Sequence, residues 1–221
     1  MSVPIENRQE FFAVENYKTA LAHTEAHWQD PEQAAKLHAR LSMVLKPRVH
    51  FAPGIEDRMT QEVANGAICA IAFNHASAFD PVQIAAMASQ NPSFHPLIGK
   101  TMIGAKVGLF TSSVTGPIVP DLGALPIWRK KDVESKSDSA EERERLTGLR
   151  KLANQAVLAT EIHGMNTGHH LAKHVEGTRN KKNPKMLLPV REGFGRVVAG
   201  VDPEVDILMM TGAFYYITAK A

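Results

Sequence analysis

Ala67-Ile68-Cys69-Ala70-Ile71-Ala72-Phe73 is an unbroken apolar run, followed at once by Asn74-His75-Ala76-Ser77-Ala78-Phe79-Asp80-Pro81. The run is far too short to cross a bilayer, which takes about 20 residues. Its length suits a strand covered on both faces. Asp80 stands where a helix wants its N-cap, and Pro81 fits the first helical turn. A helix is therefore predicted over Pro81 to Ser89, closed by Asn91-Pro92. A buried strand, a short polar loop and a helix make the repeating unit of an α/β fold. Polar groups at the carboxyl end of such a strand sit where open α/β sheets bind ligands.

The same alternation continues outward. Glu56 to Asn65 reads as a helix before the run, and Val49 to Phe51 as a short strand. Further strands are predicted at Phe94 to Ile98, Ala124 to Trp128, Leu171 to Val175 and Asp206 to Met210, with helices at 142–160 and Phe194 to Ala199. Residues 48–221 thus read as an α/β layered domain with a largely parallel sheet flanked by helices. The charge-dense stretch 129–151 reads as a solvated linker entering the 142–160 helix.

Residues 1–47 read as an N-terminal helical hairpin. Phe11, Val14, Tyr17, Leu21 and Trp28 recur at helical spacing. Asp30-Pro31 opens the second helix, whose stripe is Leu37, Leu41 and Val44, and Pro47 ends it. An edge of Phe11, Phe12 and Trp28 suits either packing on the core or a place in a lipid interface.

Composition narrows the field. A net charge of +2 over 221 residues is too small to mark nucleic acid as a bulk partner. The single cysteine, Cys69, makes no internal disulfide and fits a reducing compartment. It lies mid-strand rather than at a turn beside a base, a poor place for a nucleophile. The polar N-terminus lacks a secretory signal. The expectation is a cytoplasmic chain able to lie on a membrane without crossing it.

Chemistry concentrates in three segments. His75 and Asp80 are five apart across a strand-to-helix turn, so the loop can fold their side chains together. A carboxylate on one ring nitrogen fixes the tautomer and leaves the other nitrogen free as a base. An ordinary N-cap and turn explain the same residues, and the two roles coexist because a carboxylate has several acceptor sites. Gly123 to Arg129 places an arginine at the end of another strand. His174-Val175-Glu176-Gly177-Thr178-Arg179 ends a third, and Lys181, Lys182 and Lys185 extend the basic character. Gly177 permits close backbone approach, and Thr178 with two arginines can bind phosphate.

Other constellations are weaker. His23 and His27 flank Glu25, and His170 and His174 share the same spacing, but no third ligand follows at a characteristic interval, so no metal is expected. No Gly-x-Ser-x-Gly elbow exists for a serine hydrolase. Lys100, after the predicted strand Phe94 to Ile98, can approach a phosphate or simply face solvent.

Together the three segments resemble three of the four blocks of the glycerolipid acyltransferase family, typified by 1-acylglycerol-3-phosphate acyltransferase. The His-x4-Asp block is matched by His75 and Asp80, with Asn74 before and Pro81 after. The second block resembles Gly123 to Arg129, and the third, Phe-Pro-Glu-Gly-Thr-Arg, resembles Glu176 to Arg179. The likeness covers about residues 50–215. It departs at His174-Val175, which stand where the family usually has Phe-Pro. No functional residue is carried over from the fourth block, although Leu188-Pro189-Val190 precedes a glycine-bearing helix. The polar 1–47 segment is similar to the two-helix interfacial motif of some bacterial members.

The resemblance implies transfer of a fatty acyl group from acyl-CoA or acyl carrier protein, without a further cofactor, to the hydroxyl of a lysophosphatidic-acid-like lipid at a membrane surface. His75 would act as general base and Asp80 would orient it. Arg129, Thr178 and Arg179 would hold the acceptor's phosphate, with Gly177 allowing close approach and Glu176 organising the loop. The competing readings are an inactive paralogue that binds lipid or acyl-CoA, and a zinc hydrolase.

Overall fold

The computed structural model describes residues 7–26, 30–75, 77, 80–134, 139–177 and 189–214. The apolar run forms β1 (Ile68–Phe73), joined by β2 (Thr101–Lys106), β3 (Ala124–Ile127), β4 (His170–His174) and β5 (Ile207–Gly212). The order is β3-β2-β4-β1-β5 and every pairing is parallel. The helices among the described residues are α1 (Arg8–Phe11), α2 (Tyr17–Ala26), α3 (Pro31–Val44), α4 (Ile55–Ala64), α5 (Asp80–Gln90), α6 (Val107–Phe110), α7 (Lys130–Glu134), α8 (Ala140–Asn166) and α9 (Gly193–Gly200).

Why β1 is apolar throughout is visible in its two faces. Ile68 and Ala70 join a core with Ala153, Val157 and Met165 of α8 and Val197 of α9. Cys69, Ile71 and Phe73 join a second cluster with Met59 of α4, Ala88 of α5 and Phe94. A strand covered on both sides has no polar face to alternate. Chain direction then locates a crevice. β1 leads through α5 to β2, and its neighbour β4 leads through α9, on the opposite face, to β5. Adjacent strands that depart in opposite directions leave a gap beyond their carboxyl ends, the usual ligand position in such sheets. Phe73 and His174, the last residues of β1 and β4, are partners in the ladder.

The N-terminal segment is helical, and its two longer helices cover different faces. α2 lies against α8, whereas α3 lies against α5. Asp30 caps α3, accepting from the amides of Glu32 and Gln33 at 2.9 and 3.2 Å, a cap worth about 1 kcal/mol. The aromatic edge imagined for a lipid interface is largely internal. Phe12 is buried, its ring 5.0 Å from that of Phe110, and its carbonyl accepts the Trp128 indole N–H at 3.0 Å. Phe11 is half-buried against His23. Trp28 lies outside the described residues.

Three predicted elements differ. Val49 to Phe51 has no regular secondary structure and joins no ladder among the described residues, and Phe51 instead stacks on Phe94 at 5.5 Å. Phe94 to Ile98 falls in a 3-10 helix, Pro92–Leu97, whose start is capped by Asn91 on the Ser93 amide. Pro92 and Pro96 lack the amide donors a strand would need. The strand is β2, one turn later. Gly104 and Ala105 interrupt its apolar pattern, and Gly104 packs close to β3: an added Cβ there would lie 3.3 Å from the Ile127 side chain. Finally, the charged stretch enters α8 earlier than predicted, at Ala140, where Ser139 caps the Glu142 amide at 3.1 Å. Much of that charge is the exposed face of a helix.

Candidate active site

The loop after β1 brings His75 and Asp80 together. His75 Nδ1–H donates to Asp80 Oδ2 at 2.8 Å. The Ser77 amide donates to both carboxylate oxygens at 3.0 Å. Asp80 is fully buried at the first residue of α5, while the His75 side chain keeps 22% of its exposure. The N-terminus of a helix favours a carboxylate on electrostatic grounds. Asp80 therefore serves both the helix start and the histidine. Because Nδ1 carries the proton, Nε2 is the nitrogen left with a lone pair.

Asn74 and His174 frame this pair. The Asn74 side chain donates to the Phe214 carbonyl at 3.2 Å and accepts the Phe214 amide at 2.6 Å, tying the chain after β5 to β1. Its backbone carbonyl accepts His174 Nδ1–H at 2.9 Å. The His174 ring lies on the His75 ring, centroids 4.3 Å apart and planes 20° from parallel. Burial, followed by the neighbouring His75, holds His174 down at about 4. It is neutral at pH 7.

Candidate ligand atoms of His75, Asp80 and His174 all lie within 4.8 Å of one another. The residue types suit zinc, but the geometry does not. Nearly parallel stacked rings send their in-plane lone pairs side by side, whereas one tetrahedral ion needs them to converge. The Asp80 oxygens already accept from His75 and Ser77. His170 and His174 share a spacing that brings residues together on a helix. On a strand it separates them by roughly 13 Å. His170 Nδ1 instead accepts the Cys69 amide at 3.0 Å, and burial holds it near 4. Burial also pushes the Cys69 thiol up to about 11, so it stays protonated.

The other predicted residues separate. Glu176 is buried beyond β4, with Oε2 unpartnered among the described residues. Gly177 has φ +66°, a conformation that favours glycine. Arg129 follows β3 at the far edge of the sheet and grips Asp132 with both arms of its fork, at 2.6 and 2.7 Å. Partial burial would raise the Asp132 carboxyl, but the bonds and charge of Arg129 outweigh it and hold it below the ordinary range. Lys100 precedes β2, at the opposite end of the sheet from His75, because its supposed strand is the 3-10 helix. Thr178, Arg179, Lys181, Lys182, Lys185 and His27 lie outside the described residues.

Two features have no local signature. Arg191 donates its amide to the Val175 carbonyl at 2.8 Å. Its side chain lies over Gly177, where an added Cβ would meet Arg191 Cδ at 3.1 Å. Arg191 is exposed and seventeen positions from His174 in the chain, so nothing in the sequence marks it as a neighbour. The second is a cavity of about 1010 Å³ beside β5, lined by Ile71, Phe73, Met87, Phe94, Met210 and Phe214 among others. It reaches the carboxyl ends of β1 and β5, next to Asn74.

A family model described as Acyltransferase matches residues 54–211. The chain belongs to the acyltransferase family. The match runs from the turn before α4 to the penultimate residue of β5, so it takes in every strand of the sheet and both members of the His75–Asp80 pair. No curated protein and no solved structure matches. Among the described residues of this acyltransferase, no helix is long and apolar enough to cross a membrane.

Proposed function

We propose that this acyltransferase moves a fatty acyl group from a thioester, acyl-CoA or acyl carrier protein, to the hydroxyl of a lysophosphatidic-acid-like lipid at a membrane surface. The observation that carries the reading is the His75–Asp80 pair just past the carboxyl end of β1, the strand whose last residue, Phe73, walls an apolar cavity together with Phe214. A base fit to act on an alcohol follows, two residues on, a phenylalanine that walls a space fit for a hydrocarbon chain.

In this mechanism His75 Nε2 takes the proton of the acceptor hydroxyl. The oxygen attacks the thioester carbonyl, forming the new C–O bond. The C–S bond then breaks, and the thiolate takes the proton back from His75. Asp80 keeps the proton on Nδ1 and stabilises the transient imidazolium. A positioned base of this kind contributes about 10²–10⁴-fold. No acyl-enzyme is required.

Acceptor phosphate falls to the third block. Glu176 is read as an organiser of that loop, and Gly177 as the point of close approach. Arg191 beside Gly177 supports an anion there, together with Thr178 and Arg179. Arg129 would first have to release Asp132. Association with lipid is supported by the cavity's rim. Val44, Ile55 and Met209 line the cavity and are exposed, so they mark where it opens. Every charged residue lining it is basic: Lys46, Arg48 and Arg58.

The test is direct. Purified protein is given labelled acyl donors of graded length and a panel of lysolipids, and products are identified by mass. A phosphorylated diacylglycerol from a lysophosphatidic acid is the expected product. Tight acyl-CoA binding without any product would favour the inactive lipid-binding reading instead.

A further inference from the structure

We propose that His174 is a positioning residue for His75, its ring serving as a platform that fixes the plane of the base. This rests on His75 acting as the base. The argument begins with what Asp80 leaves undone. One hydrogen bond from Nδ1 holds a point on the His75 ring, but the ring can still swing about that bond. The side chain keeps 22% of its exposure, so part of the ring borders solvent rather than packed neighbours. Nε2 would then sweep an arc, and a displacement of about 1 Å can cost on the order of 10²-fold in rate.

The stack removes that freedom. The His174 ring stacks on that of His75, with centroids 4.3 Å apart and planes 20° from parallel. The platform is itself fixed twice, by its place as the last residue of β4 opposite Phe73 and by its Nδ1–H bond to the Asn74 carbonyl. That carbonyl belongs to the residue preceding His75, so strand, base and platform move as one body.

The ring is also suited electrically. When His75 takes a proton it becomes a cation lying against the face of a neutral ring, which does not repel it. A charged platform would repel it. The charged groups acting on His174 are His75 and Asp80, and burial keeps its own ring neutral. His174 Nε2 is buried without a partner among the described residues.

The experiment compares His174→Ala, His174→Phe and wild type. Two readouts are taken: the kcat–KM split, and the downfield His75 Nδ1–H proton resonance, with melting curves to verify folding. The alanine variant should lose about 10- to 100-fold in kcat with KM little changed, and its Nδ1 proton signal should broaden or vanish. Phenylalanine should restore most of the rate and the signal, because it keeps the face and drops the nitrogens. Equal loss in both variants at unchanged melting temperature would overturn the platform and assign the role to a nitrogen. An alanine variant with wild-type kcat and an intact signal would overturn it as well. If wild type proves to transfer no acyl group, the function reading fails while the resonance still decides the stack.

Discussion

His75 and Asp80 meet at 2.8 Å across the turn between β1 and α5, with the carboxylate wholly enclosed and the imidazole reaching solvent along one edge. The bond ties a helix N-terminus to a loop residue, so its two ends fail differently. Loss of the imidazole removes a partly exposed ring. Loss of the carboxylate leaves the Ser77 amide without its partner at a buried helix start.

His75→Ala should therefore lower activity by about 10²–10⁴-fold while the melting temperature stays within a few degrees. Asp80→Ala should lose activity and melt lower. Circular dichroism melts beside acyl-transfer rates separate the two. A His75→Ala protein retaining more than a tenth of the activity would remove the base from the mechanism.

Arg191→Ala should weaken phosphorylated acceptors by about 10- to 150-fold, the range of one charge-assisted bond. Arg129→Ala should have the smaller effect, because its fork already holds Asp132. Lysine should rescue Arg191 only in part, since a point charge does not reproduce the planar fork. Transfer to an uncharged monoacylglycerol should barely change. KM measured for both acceptor types is the check, and equal loss on both would make the arginine structural.

Filling the cavity should shorten the acyl chain accepted. Met87 is half-buried in its wall, and Met87→Trp adds bulk there without touching His75. Rates with long-chain donors should fall several-fold more than with short ones. A uniform change across donor lengths would detach the cavity from the acyl group.

Vesicle binding should depend on the cavity rim. Val44→Ser with Ile55→Ser should reduce co-sedimentation with anionic vesicles, and high salt should weaken the wild-type interaction through Lys46, Arg48 and Arg58. Val114→Ser, at an exposed apolar residue outside the cavity lining, should leave binding unchanged. Equal effects from both sets would show that the rim is not the lipid face.

Acid should destabilise the fold below neutrality. His38, His170 and His174 are each held by burial at about 4, against about 6.5 for an exposed imidazole. Between those values the unfolded chain binds more protons than the folded one. The stability contributed by keeping these rings neutral is thus complete above about pH 6.5 and is lost as pH falls toward 4. Melting temperatures from pH 7.5 to 4.5 should trace this fall. His38→Leu should flatten part of it, because both His38 ring nitrogens are buried without partners among the described residues. Parallel curves for variant and wild type would contradict the assignment.

Local order carried a good share of the fold. The apolar run at 67–73, the Asp80-Pro81 helix start and the Asp30 cap are each written in adjacent residues, so strand, helix and loop could be read where they occur. The closeness of His75 to Asp80 was equally legible, because five residues around one turn leave few ways to separate them. Elements with weak or conflicting local signals were misplaced: β2 hides behind Gly104 and Ala105, and Pro92 and Pro96 favour a 3-10 helix where a strand is predicted at Phe94 to Ile98.

What only the tertiary structure decided depends on residues distant in the chain. The parallel order β3-β2-β4-β1-β5 sets β4 beside β1 and so lays His174 on His75, 99 positions apart. It brings Phe214 to Asn74, Arg191 over Gly177, and walls a cavity from strands and helices spread between residues 44 and 214. The same packing takes Phe12 into the core, its carbonyl on the Trp128 indole. Such contacts leave no mark at either partner's own position, because sheet order is settled by how helices cover two faces at once and not by any single segment's preference.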